Sequence, residues 1–290
     1  MSDGIERVMV IGSGTMGSGI AEVAAKAQCL VRLVDVDEDS LERGRARIEK
    51  SLTRAVEKKK VTEAEAQAAK GRIETHVGFD GSETFDLVVE AVPENMELKK
   101  KLFSEVGSRN SSCILGSNTS SLSLTELASS VPGPERVIGL HFFNPPPVMP
   151  LLEIVRAVQT DERVVSRCRE LASRLGKQPI VVNDVPGFAT SRLGVILGLE
   201  AMRMLESGVA TAPDIDAAME LGYRHPMGPL KLTDLVGLDV RLAIADHLTK
   251  EVGPQFRAPP LLRQLVRAGK LGAKTGEGFY RWVDGKPVPV

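Results

Sequence analysis

The sequence predicts an α/β protein in two parts: a doubly wound, mostly parallel sheet over residues 1–184, then a smaller all-helical domain over 185–290. Three observations carry this. Short apolar, β-branched runs alternate with longer helical patterns from the first residues onward, which implies a sheet covered on both faces. A glycine cluster follows the first run. The character then changes at Asp184-Val185-Pro186-Gly187, after which amphipathic helical spacing dominates.

The first strand, Val8-Met9-Val10-Ile11, runs into Gly12-Ser13-Gly14-Thr15-Met16-Gly17 and then a helix over residues 16–27. In a Rossmann-type unit the first glycine permits a tight turn, the second lets backbone approach a pyrophosphate, and the third allows close helix packing. The helix start presents N–H groups and a positive dipole end to phosphate. Leu30 to Val34 is the second strand and ends in Asp35, eighteen residues after Gly17. An acidic side chain there accepts hydrogen bonds from ribose hydroxyls and repels a 2′-phosphate, so the expected cofactor is NAD. The next residue is Val36, not the arginine that favours the phosphorylated cofactor.

Further strands are expected at 85–90, 113–116, 137–140, 151–155 and 179–182, with helices over 39–60 and 95–107. In the second part, helical spacing covers 193–206, 212–221, 230–249 and 260–268, with one strand candidate at 279–282. No internal repeat or low-complexity tract interrupts the chain.

Composition narrows the function classes. With 37 Lys+Arg against 38 Asp+Glu the net charge is −1, which supplies no global field for nucleic acid or an anionic membrane. Aromatics at 4% are too few for a base-stacking surface. Cys29, Cys113 and Cys168 are far apart, odd in number and lack metal spacing, so a reducing, cytoplasmic setting is expected and no metal site is read. The acidic pair Asp3 and Glu6 near the start does not fit a secretory signal, and no apolar stretch has membrane-spanning length.

Chemistry concentrates at the later strand ends. His141 closes the run at 137–140, where ligands of doubly wound sheets gather, and Glu153 follows twelve residues later across a proline-rich reversal. A histidine can take an alcohol proton while hydride leaves the adjacent carbon, and a carboxylate can fix its tautomer. On spacing alone a structural histidine beside a turn competes evenly with this reading. His76, His225 and His247 have no such company and read as surface or packing residues. Residues 42–60 hold eight basic and three acidic residues, a net +5, which reads as either a solvated mixed-charge helix face or an anion site.

Several longer motifs then occur in register: Ser117-Asn118-Thr119-Ser120-Ser121-Leu122, Gly139-Leu140-His141-Phe142-Phe143-Asn144-Pro145 and Asp184-Val185-Pro186-Gly187-Phe188. They are followed by His225-Pro226-Met227-Gly228-Pro229 and by Lys274 to Tyr280. Together they resemble the short-chain L-3-hydroxyacyl-CoA dehydrogenases over essentially the whole chain, most of all the bacterial 3-hydroxybutyryl-CoA enzymes. The resemblance implies reversible, NAD-dependent oxidation of a (3S)-3-hydroxyacyl-CoA, in fatty-acid breakdown or in butanoate synthesis. By it His141 is the general base and Glu153 its partner, while Ser120 binds the reacting oxygen near the nicotinamide. Asn144 contacts the nicotinamide side, Glu94 and Lys99 flank its ribose and phosphate, and Lys274 reaches back to the cofactor. Without the resemblance, Glu94 and Lys99 read as a helix-start charge and an exposed lysine. Ser51 and Lys58 would contact coenzyme A, and a homodimer would form through the C-terminal domain. Where the family commonly has a substrate-holding Asn, this chain has Ser191, which cannot offer both groups of an amide. Two other functions use the same features: a dehydrogenase of a free hydroxy acid or sugar acid, and a non-catalytic NAD-binding protein.

Overall fold

The computed structural model of the protein describes residues 4–79 and 83–289; Asp3 lies outside them. The chain divides into two compact units, one ending at Val185 and the other beginning at Pro186, one residue beyond the expected boundary. Among the described residues no helix is long and apolar enough to cross a membrane.

The first unit holds an eight-stranded sheet built from β1 (Arg7–Ile11), β2 (Leu30–Asp35), β3 (Ile73–Val77), β4 (Leu87–Glu90), β5 (Ile114–Ser117), β6 (Val137–Phe142), β7 (Leu151–Arg156) and β8 (Gln178–Asn183). The spatial order is β3-β2-β1-β4-β5-β6-β7-β8, and every pairing is parallel except β6 with β7. That exception follows from connection length: residues 143–150 are too few for a crossover helix, so the chain must double back. The helices are α1 (Thr15–Lys26), α2 (Glu38–Glu57), α3 (Glu63–Lys70), α4 (Met96–Arg109), α5 (Leu124–Ala128) and α6 (Glu162–Arg174). Val8, Val10, Leu33, Leu87, Val89, Ile114, Leu140 and Ile154 are fully buried between sheet and helices. Each contributes about 1.5–3 kcal/mol of transfer free energy.

Four elements of this unit escaped the sequence reading: α3, β3, α5 and α6. The α3 helix is short and opens on a Thr62/Glu65 capping box rather than on an apolar stripe. The β3 strand is an edge strand whose Glu74, His76 and Val77 are exposed, so it lacks the continuous apolar run of its neighbours. The α2 helix ends at Glu57, earlier than expected; Lys59 takes a left-handed φ of 54° and ends the helical path.

The second unit contains α7 (Thr190–Glu206), α8 (Ala212–Ala217), α9 (Pro229–Val236), α10 (Leu238–Glu251) and α11 (Pro260–Arg267). It is helical but not all-helical. A hairpin of β9 (Tyr280–Val283) and β10 (Lys286–Pro289) closes it, because Asp284 and Gly285 both adopt positive φ (51° and 74°) and form the tight turn that Asp-Gly favours. The helix expected over 230–249 is two helices, broken at Gly237 with φ 103°.

Two buried carboxylates tie this unit together. Asp216 accepts from the Leu230 and Lys231 amides at the start of α9 and from the Tyr280 hydroxyl, at 2.8, 3.0 and 2.7 Å. Asp234 accepts from the amides of Phe279 and Tyr280 and from the Trp282 indole, each at 2.9 Å. Burial, the Asp216 contact and neighbouring negative charge all push the Tyr280 hydroxyl's pKa far up.

Candidate active site

The C-terminal ends of β1, β4, β5 and β6 lie along one edge of the sheet, beside the point where strand order reverses between β1 and β4. Gly12 makes the turn out of β1 at φ +100°, and a Cβ there would sit 2.7 Å from the Ala91 carbonyl oxygen. At Gly17 a Cβ would lie 1.7 Å from the Gly12 carbonyl oxygen, so α1 packs on the turn only with glycine at that position. Gly14 differs. A side chain there would meet nothing within 4 Å, and as N-cap it gives α1 no side-chain cap. That leaves an open cradle faced by first-turn amides, which fits a pyrophosphate. Thr15 is exposed at its lip, whereas Met16 packs partly against the core.

Asp35 ends β2 beside this turn. Its Oδ2 accepts from the Ser13 amide and hydroxyl at 2.7 and 2.6 Å, and its Oδ1 from the Val36 amide at 2.7 Å. Burial alone would raise its pKa, but these hydrogen bonds and the Arg43 charge outweigh burial and hold it below the ordinary aspartate value. The carboxylate is therefore held as a negative charge beside the glycine turn. Ser13, expected as a cofactor ligand, has its side chain buried and turned inward, where it holds Asp35 in place.

Lys99 is not the exposed helical lysine that its spacing alone suggested: it is 1% exposed, and its ammonium lies 2.6 Å from Glu90 Oε1 and 3.2 Å from Glu94 Oε2. Glu90, buried at the end of β4, also accepts from the Val92 amide and the Ser117 hydroxyl, both at 2.7 Å. Glu94 in turn accepts from the Thr119 hydroxyl and from the Ser120 amide at 3.1 Å. This network fixes the loop that carries Ser120. Glu90 and Ser117 were not picked out from the sequence, although a glutamate ending a fully buried strand was a usable signal.

His141 and Glu153 face each other in register across the antiparallel β6–β7 pair, with Nδ1 to Oε2 at 2.6 Å. Both are buried. A carboxylate accepting at Nδ1 selects the tautomer in which Nε2 is the basic nitrogen and stabilises the imidazolium formed when Nε2 takes a proton. The Asn118 side chain accepts from the Phe142 amide at 3.0 Å and ties the ends of β5 and β6 together. Asn144, exposed, precedes the cis Asn144–Pro145 peptide.

Ser51 and Lys58 line one cleft of about 400 Å³ in the first unit. Arg47, Lys50, Arg54 and Lys60 add positive charge to one side, and Pro145, Pro146, Pro147 and Val148 form the other wall. In the second unit, Ser191 sits half-buried in the first turn of α7, and Lys274 pairs with both carboxylate oxygens of Asp239 at 2.6 and 2.7 Å.

Comparison with known proteins agrees with this geometry. Residues 7–185 match the family described as 3-hydroxyacyl-CoA dehydrogenase, NAD binding domain, and residues 187–282 match the corresponding C-terminal domain. A Mycobacterium tuberculosis 3-hydroxybutyryl-CoA dehydrogenase is 46% identical, over 97% of this chain and 100% of its own length. The mitochondrial hydroxyacyl-coenzyme A dehydrogenase of Sus scrofa is 41% identical over 96% of this chain and 91% of its own. The crystal structure of (S)-3-hydroxybutyryl-CoA dehydrogenase from Ralstonia eutropha superposes with a TM-score of 0.92 at 40% identity, covering 97% of this chain and 100% of that one.

Proposed function

The chain belongs to the 3-hydroxyacyl-CoA dehydrogenase family of NAD-dependent oxidoreductases, and on that premise we propose that it interconverts (3S)-3-hydroxybutyryl-CoA and acetoacetyl-CoA. The observation that carries the reading is the buried His141–Glu153 pair on the same sheet edge as the Gly12–Gly17 cradle. NAD, when bound, supplies the hydride acceptor. In the oxidation direction His141 Nε2 takes the proton of the 3-hydroxyl, and Glu153 holds the charge that forms on the ring. Ser120 binds the reacting oxygen, on a loop held by Glu94. Asn144 takes the nicotinamide side. Ser191 stands where the family's substrate-holding amide is expected, and Lys274 serves the cofactor from the C-terminal motif.

Ser51 and Lys58 bind the coenzyme A carrier, whose phosphates suit the basic side of the cleft. A free hydroxy acid has no phosphate to place there and leaves that cleft without a use. The test is NADH oxidation with acetoacetyl-CoA: turnover by pure protein is expected, and none would sink the proposal. With Lys58→Glu, KM for acetoacetyl-CoA rises about tenfold, the equivalent of roughly 1.4 kcal/mol, while NADH affinity stays unchanged. An unchanged KM would remove the carrier from this cleft.

The proposal extends to a cytoplasmic homodimer joined through the second unit. Its support is apolar side chains left in water: Leu193 and Leu197 on α7, Leu235 and Val236 on α9, and Val240 on α10 are all exposed. Leu199 and Leu238, on the same helices α7 and α10, belong to the unit's own core. Sedimentation is expected to give one species at twice the 31.2 kDa chain mass; monomer at working concentration would refute the dimer. The three cysteines are free and buried, in keeping with a reducing compartment.

A further inference from the structure

The wall of the carrier cleft opposite α2 is a proline-rich loop with little secondary structure of its own, yet a binding wall must hold its shape to be of use. Two features hold it. On one side α1 packs directly against it: a Cβ at Gly19 would lie 2.7 Å from Pro146 Cδ. On the other stands Lys177, the residue before β8. Lys177 is 8% exposed, and its ammonium donates to the carbonyl oxygens of Pro146 and Met149 at 2.5 and 2.8 Å.

A buried ammonium needs a counter-charge. A buried carboxyl, Glu22 on α1, lines the same cleft and is 1% exposed. Lys26 Nζ pairs with Glu22 Oε1 at 3.9 Å, and the Ser51 hydroxyl lies beside the carboxylate. Burial raises the Glu22 pKa, against the pull of the nearby Ser51 hydroxyl and of the Lys26 and Lys177 charges. Burial lowers the Lys177 pKa, helped by Lys26 and opposed by Glu22. The two buried charges are thus electrostatically coupled.

We propose that Lys177 is a positioning residue for the acyl-carrier cleft: it anchors the Pro145–Met149 wall against α1, with Glu22 as its buried counter-charge. This rests on the carrier reading of the cleft given above. A tether made through backbone carbonyls acts on where the wall stands, not on the chemistry. Its loss therefore appears in carrier binding before it appears in turnover.

The test uses the full-length protein with acetoacetyl-CoA and NADH. Lys177→Met is expected to raise KM for acetoacetyl-CoA on the order of tenfold, with kcat within about threefold and NADH Kd within about twofold by fluorescence titration. Removing one charge strands the other, so Tm also falls in this variant. The double variant Lys177→Met/Glu22→Leu strands neither charge; it recovers Tm while KM stays raised, and it carries the measurement if the single variant does not fold. Recovery of KM together with Tm would show that Lys177 acts only on stability and would overturn the proposal. So would an unaltered KM in folded Lys177→Met, or equal losses in KM, kcat and NADH affinity. Lys58→Glu run alongside separates the two levels. If it raises KM and Lys177→Met does not, the positioning role alone fails; if neither does, the carrier reading has failed.

Discussion

His141→Gln is expected to lower kcat about 10²–10⁴-fold in both directions, with NADH affinity and thermal stability close to the parent protein. Glutamine fills much of the imidazole's volume and can still donate a hydrogen bond to the buried Glu153 carboxylate, which the histidine meets at 2.6 Å. The pair is therefore not left as an unpaired buried charge, and stability changes by only about 1 kcal/mol. What glutamine cannot do is accept the alcohol proton. The rate is read from NADH absorbance with acetoacetyl-CoA, and folding from thermal unfolding. A variant that turns over at nearly the parent rate would show that His141 is a packing residue. Glu153→Gln separates the roles further: it keeps the ring's neighbour but removes the charge that stabilises the imidazolium, so kcat again falls while carrier KM changes little.

Asp234→Ala is expected to have the largest effect on stability, about 3–5 kcal/mol, a large share of the roughly 5–15 kcal/mol that holds most domains together. The substitution orphans three donors at once: the buried Phe279 and Tyr280 amides and the half-buried Trp282 indole. Backbone crowds the site on both sides, since a Cβ at Gly278 would lie 2.2 Å from Asp234 Oδ1 and one at Gly272 would lie 2.2 Å from the Asp234 carbonyl oxygen. Trp282 is the only tryptophan, so its fluorescence reports unfolding at this site. Parent-like denaturant sensitivity in Asp234→Ala would refute the argument. Burial and the charge of Asp216 raise the Asp234 pKa, and the three donors only partly offset them. The folded pKa then exceeds the unfolded one. This contribution to stability is fully present below the ordinary aspartate range and is lost as pH rises through the raised value. Asp234→Asn removes that pH slope while keeping one acceptor.

The NAD cradle was legible because everything that makes it is local. One strand, one turn and one helix start are contiguous from Val8 to Ala27, and the acidic end of β2 follows at a short, fixed distance. The pairing of His141 with Glu153 was legible for a related reason: residues 143–150 form a short reversal, and a short reversal brings both strand ends to one place. Where local signals were weak, the reading failed. The β3 strand carries polar and exposed residues because it is a sheet edge, whereas the closing hairpin had a usable local signal in Asp284-Gly285 beside the strand expected at 279–282.

Taken alone, then, the sequence determined the fold class and the cofactor through periodicity, turn chemistry and short-range spacing, and it offered His141 with Glu153 as a candidate pair through the family its motifs resemble. Tertiary structure alone decided how each polar side chain is spent. Ser13 turned inward to Asp35, Lys99 was drawn between Glu90 and Glu94, and Lys177 reached 31 residues back to Pro146. The physical reason is that a charge's role depends on what surrounds it after burial. Desolvation makes an unpaired ion so costly that Lys99 and Lys177 are held by the carboxylates and carbonyls that the fold brings to them.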